Sequence, residues 1–134
     1  MKILIAENEP EVLRLYKILL EEEGHEVLAT NDGLECIEAY RNALDKALQR
    51  GEPAFDLVVV DHKMPKKTGV EVANEVLDMY PTQQLLMITA YGGELDLKDD
   101  LRKMKIMRKP FEVDELISLI HQLGSKDNQN ACNE

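Results

Sequence analysis

The stretch Phe55-Asp56-Leu57-Val58-Val59-Val60 constrains this chain's fold more than any other. Its apolar, β-branched run reads as a strand, and a strand without polar alternation is covered on both faces, as in a parallel sheet. The remaining chain supplies the partners such a sheet needs. Strand-like runs lie at Lys2 to Ala6, Glu26 to Thr30, Leu85 to Ile88 and Lys105 to Arg108. Stripes at helical spacing lie between them: Leu13, Tyr16, Leu20; Ile37, Tyr40, Leu44, Ala47, Leu48; Val72, Ala73, Val76, Leu77, Tyr80; a weak Leu97, Leu101, Met104; and Val113, Leu116, Ile117, Ile120, Leu123. Alternation of this kind predicts an α/β domain with a doubly wound parallel sheet and helices on both faces. Pro10 suits a helix start, where its fixed φ is already helical. Gly51 and Pro53 end the second helix, and Gly124 is expected to end the last. Residues 1–123 are therefore read as one domain, and the polar residues 124–134 as a flexible tail.

Length and composition narrow the function. A chain of 134 residues is one domain with room for a real core. The net charge of −10 argues against direct binding to nucleic acid or anionic membrane, and favours a divalent cation or a basic partner surface. Cys36 and Cys132 have no disulfide or metal-ligand spacing. No apolar stretch is long enough to span a bilayer, and the first residues lack a signal-peptide pattern. The expected location is cytoplasmic.

In an open α/β sheet, ligands bind at the carboxyl ends of the strands. Here those ends carry Glu7-Asn8-Glu9, Asp61, Thr89-Ala90 and Lys109-Pro110. Asp61, following the buried run, is a metal ligand, a nucleophile, or a strand-end residue that caps the next turn. Acids, a hydroxyl and a lysine in one crevice suit phosphoryl transfer, in which catalysis is mostly positioning and charge stabilisation. A carboxylate can become an acyl phosphate. Mg²⁺ prefers oxygen ligands and relieves repulsion between clustered carboxylates.

With these residues in place, the chain resembles the receiver domain of two-component response regulators. The resemblance rests on Glu7-Asn8-Glu9-Pro10, Asp61-His62-Lys63-Met64-Pro65 with Gly69, Thr89-Ala90, and Lys109-Pro110-Phe111, and covers roughly Lys2 to Leu123. It implies a flavodoxin-like five-stranded sheet of order 2-1-3-4-5 with five helices. It further implies that Asp61 accepts a phosphoryl group from a sensor-kinase phosphohistidine, and that Thr89 and Lys109 bind its oxygens. Mg²⁺ would be held by Glu7, Asn8, Asp61 and the carbonyl of Lys63. A cis peptide before Pro110 is also implied. The expected partners are a sensor histidine kinase or histidine phosphotransfer protein, and a downstream protein at the face of the fourth helix, fifth strand and fifth helix.

Several positions depart from the family's pattern. The family usually carries two acids where Glu7 and Asn8 stand, so weak Mg²⁺ binding is expected. Glu9 is read as a cap of the first helix rather than a further ligand, and Thr68 as a cap of the third. Lys63 and Tyr91 occupy the positions that tune phosphoryl lifetime, either shielding the acyl phosphate or packing without effect. Ile106 replaces the aromatic switch residue. His62 is read as a bystander, and His25 and His121 as surface or partly packed residues. The expectation is a stand-alone switch whose only chemistry is its own phosphorylation and dephosphorylation, not an enzyme with an external substrate. The competing readings are a phosphorylation-independent pseudo-receiver, favoured by Asn8 and Ile106, and a small Mg²⁺-dependent phosphatase, for which no substrate pocket or further acid/base is evident.

Overall fold

The computed structural model describes residues 1–90 and 104–133, with side chains described as far as residue 124. Five strands form one parallel sheet: β1 (Lys2–Ala6), β2 (Glu26–Thr30), β3 (Leu57–Asp61), β4 (Leu85–Thr89) and β5 (Lys105–Arg108). Their order is β2-β1-β3-β4-β5, the expected flavodoxin-like order. Among the described residues there are four helices: α1 (Pro10–Glu22), α2 (Gly33–Arg50), α3 (Gly69–Met79) and α4 (Val113–Asn133). The stripe predicted at Leu97 and Leu101 lies outside the described residues.

Every residue of β3 is buried, as are those of β4. Side chains alternate across a strand, so this sheet divides the core in two. Ile3, Ile5, Leu57, Val59, Leu86 and Ile88 face one layer, where they meet Leu13, Tyr16 and Leu20 of α1 and Leu116 and Ile120 of α4. Leu4, Ala6, Val58, Val60, Leu85 and Met87 face the other, against α2 and α3. In that second layer the Tyr40 hydroxyl donates to Gln83 Oε1 at 2.8 Å, and Gln83 Nε2 donates to the Phe55 carbonyl. A buried phenol needs such a partner, and this one ties α2 to the chain entering β4.

Local signals set most helix starts. Pro10 opens α1. Asp32 caps α2 by accepting from the Glu35 N–H, and Thr68 forms a reciprocal capping box with Glu71 at α3. Gly51, in the left-handed region at φ 69°, closes α2. Glu9 occupies the cap position of α1 but makes no side-chain cap bond, contrary to expectation. Its N–H instead donates to Glu7 Oε1 at 3.2 Å.

Three other expectations need correction. The apolar run expected as a strand from Phe55 to Val60 forms β3 only from Leu57, and the strands expected to stop at Val60 and Ile88 each take in one more residue, Asp61 and Thr89. Leu48 is 60 % exposed; Ala47 takes the core-facing position in the last turn of α2, which turns Leu48 outward. Helix α4 continues through Gly124 to Asn133. A glycine ends a helix by adopting positive φ, and Gly124 is not among the glycines that do so.

Candidate functional site

The carboxyl ends of β1, β3, β4 and β5 meet at one rim. Glu7 follows β1 directly, anchored by its N–H to the Thr30 carbonyl. Its carboxyl group is almost completely buried. Oε1 accepts from Glu9, while Oε2 is buried without a donor, and the carboxyl hydrogen-bonds the Asp61 side chain when it carries its proton. Burial, then the negative charge of Asp61, push the Glu7 carboxyl from 4.5 up to about 7. Lys109 acts in the opposite direction.

Asp61 is 7 % exposed. Its Oδ1 lies 3.5 Å from Lys109 Nζ. The Lys109 backbone is fixed by donation to the Thr89 carbonyl at 2.7 Å, and the Lys109–Pro110 peptide is cis. Gly69 seats α3 against the end of β3: its N–H donates to the His62 carbonyl, and a Cβ there would lie 2.5 Å from the Asp61 carbonyl oxygen. The phenol of Tyr16 lies under the same cluster. Burial, followed by the charges of Glu7, Asp61 and Glu9, pushes it up to about 12.

The structure thus brings Glu7, Asp61 and Lys109 together. Asn8 and Lys63 are exposed, one residue beyond Glu7 and two beyond Asp61. Thr89 is fully buried and its hydroxyl is engaged by His62, whose Nδ1 lies 3.0 Å away. This contact was not anticipated. Asp61 pairs with Ile88 in the β3–β4 register, so the next step along both strands sets His62 beside Thr89. The sequence signal was present in the adjacency to Asp61, but the pairing depends on a register that one sequence does not state. Tyr91 lies outside the described residues. Ile106 is half-buried against the α2–α3 layer.

The donor set suits a hard, oxygen-seeking cation. Two buried acids sit side by side, and one carboxylate oxygen is desolvated without a donor. Among the described residues no three His, Cys, Asp or Glu side chains are grouped to hold a metal. A site of two carboxylates completed by amide or carbonyl oxygens and water matches Mg²⁺, which retains several waters, better than zinc.

The sequence matches the response regulator receiver domain over residues 3–121. The chain belongs to this family. It is 33 % identical over 124 residues to the transcriptional regulatory protein CpxR of Klebsiella pneumoniae, covering 91 % of this chain and 48 % of CpxR. To the alkaline phosphatase synthesis regulator PhoP of Bacillus subtilis it is 33 % identical over 117 residues, covering 86 % of this chain and 45 % of PhoP. The chain therefore spans about half the length of these relatives. Among solved structures, the response regulator TrrA of Thermotoga maritima, in complex with Mg²⁺-BeF, superposes with a TM-score of 0.70 at 28 % identity, covering 91 % of this receiver and 97 % of TrrA. A receiver domain from Clostridium thermocellum shares the fold at TM-score 0.75 and 24 % identity, covering 96 % and 97 % of the two chains. No helix among the described residues of the receiver is long and apolar enough to cross a membrane.

Proposed function

We propose that this receiver is a phosphorylation-controlled switch in which Asp61 accepts a phosphoryl group from a phosphohistidine of a sensor kinase or phosphotransfer protein. The observation that carries the reading is the pairing of Asp61 with Lys109 at 3.5 Å, beside the buried carboxyl of Glu7. One Asp61 oxygen attacks phosphorus, the N–P bond breaks, and the departing imidazole retains the bonding pair and takes a proton. Lys109 stabilises the charge on the phosphoryl oxygens, and the Thr89 hydroxyl donates to one of them. Glu7, Asn8, Asp61 and the Lys63 carbonyl would hold Mg²⁺, which when bound neutralises charge on carboxylate and phosphoryl oxygens. Asn8 contributes an oxygen without charge, so binding is weaker than with an acid there. Hydrolysis of the acyl phosphate resets the switch, with Lys63 and Tyr91 governing water access, so the chain turns over no external substrate. Residues 1–123 form the switching body, with 124–134 appended to it. Its signal passes to a downstream protein through the face that includes β5 and α4.

Intact-mass measurement after incubation with Mg²⁺ and a small acyl-phosphate or phosphoramidate donor tests this. A phosphate-sized gain in the wild type, absent from Asp61→Asn, is the expected result. No gain with any donor or metal, despite a competent kinase, would identify a pseudo-receiver that binds partners without phosphorylation. Asn8 and Ile106 are the residues that favour that second reading.

A further inference from the structure

We infer that Gly33 is a positioning residue for the loop that follows Asp61: the β2–α2 turn supports residues 62–68 from one side and so sets the place of the Lys63 backbone at the Mg²⁺ site. The inference deepens the switch reading and rests on its proposed metal site.

Close packing supplies the first reason. Gly33 is the first residue of α2 and is buried. A Cβ built on it would run into the Lys67 carbonyl oxygen, and would lie 2.6 Å from Lys67 Cβ and 2.8 Å from the Lys67 carbonyl carbon. Real Cβ atoms do not come so near, so the two backbones touch only because position 33 carries no side chain. Beside this contact, Asp32 Oδ2 lies 3.5 Å from Lys66 Nζ. Lys66 itself adopts a φ of 70°, uncommon for a residue with a side chain. The seam between turn and loop thus joins two neighbouring pairs, Asp32 with Lys66 and Gly33 with Lys67.

Unequal anchoring supplies the second reason. The turn is fixed on its far side. The Thr30 hydroxyl donates to the Ile5 carbonyl at 2.7 Å, the Thr30 carbonyl accepts from Glu7, and Asp32 caps α2 through the Glu35 N–H at 2.8 Å. Cys36 and Ile37, one turn further on, belong to the core. The loop is tied at its ends, where the His62 N–H donates to the Ile88 carbonyl at 2.8 Å and the His62 carbonyl accepts from Gly69 at 2.9 Å. Between those ends the Lys67 N–H donates to the Pro65 carbonyl at 2.8 Å. A push on Lys67 therefore reaches Pro65 directly, and Met64 and Lys63 through the chain. Lys63 is exposed, so little packing opposes its movement. A methyl group added at position 33 displaces the loop or, where the turn yields instead, the Thr30 anchor of Glu7. In both cases a proposed Mg²⁺ ligand leaves its place.

Gly33→Ala should weaken Mg²⁺ binding to the folded protein, measured by NMR titration, roughly 10- to 100-fold, the scale for disturbing groups that orient metal ligands. In the metal-free protein the amide resonances of residues 63–68 should shift, while those in the middle of α2 should not. Tyr40→Phe is the control: it weakens the same core layer away from the seam, and should keep wild-type Mg²⁺ affinity. Asp32→Asn combined with Lys66→Gly opens the seam without added bulk. The net charge is unchanged, asparagine preserves the α2 cap, and glycine accepts positive φ. This double variant should weaken Mg²⁺ binding about 2- to 5-fold, the most that one exposed ion pair supplies, and it decides the matter where Gly33→Ala does not fold. Wild-type Mg²⁺ affinity in folded Gly33→Ala, or in the double variant where Gly33→Ala is unfolded, would overturn the positioning role alone. So would an equal loss of affinity in Tyr40→Phe. Absence of Mg²⁺ binding to the wild type would overturn the proposed metal site, and the positioning role with it.

Discussion

Replacing Glu7 by glutamine keeps the shape of the site and removes one ionisation. The folded chain holds the Glu7 proton up to about pH 7, whereas a free glutamate releases it near 4.5. Between those values the folded state binds more protons than the unfolded one, so stability falls as pH rises. The stabilising effect of the held proton is complete below 4.5, fades through the window, and is gone above 7. At 1.36 kcal/mol per pKa unit, ionising Glu7 costs the folded state up to about 3 kcal/mol. Urea unfolding of wild type and Glu7→Gln, without divalent metal, from pH 4.5 to 8.5 measures this directly. The variant should gain on the wild type steadily through the window and level off above it. Both chains share all other titrating groups, so the difference reports Glu7 together with its interaction with Asp61. With Mg²⁺ present the wild type should recover stability and the variant much less, and wild-type Mg²⁺ affinity should rise with pH across the same window. A stability difference that does not vary with pH would refute the picture of a desolvated acid repelled by Asp61.

Asn8→Asp should tighten Mg²⁺ binding, measured by calorimetry, because it adds a charged oxygen ligand to the rim. Lys109→Met removes the cation 3.5 Å from Asp61 and should slow phosphorylation by small donors roughly 100-fold, the scale of losing one charge-stabilising donor. Gly69→Ala drives a Cβ against the Asp61 carbonyl and should cost about 1–3 kcal/mol in urea unfolding, with impaired phosphorylation. Tyr40→Phe leaves the buried Gln83 carbonyl oxygen without its donor and should cost about 1–3 kcal/mol without touching phosphorylation.

The sheet was legible because its signals are local. Val58, Val59 and Val60 announce a strand covered on both sides, and Pro10, Thr68 and Gly51 mark helix boundaries with their own chemistry. Asp61, Glu7 and Lys109 were found because topology alone sends strand ends to one rim. Features that depend on tertiary offset escaped. Glu9 sits at a cap position, yet its backbone is turned to Glu7. The exposure of Leu48 follows from Ala47 taking the core-facing position. The bond between His62 and Thr89 requires knowing that Asp61 stands opposite Ile88, and no propensity encodes that.

The tyrosine beneath the acidic rim makes the site optically readable. The chain has four tyrosines and no tryptophan, so its near-ultraviolet signal is phenolic. Tyr40 is buried within the opposite layer, away from the rim, and its hydroxyl is committed to Gln83. Tyr16 instead feels the summed charge of Glu7, Asp61 and Glu9. Any cation that settles among those carboxylates should pull the Tyr16 titration down from about 12. The same change in local charge perturbs the Tyr16 absorption at neutral pH, so difference absorbance there would follow occupancy of the site without any attached label, with Tyr16→Phe as its blank.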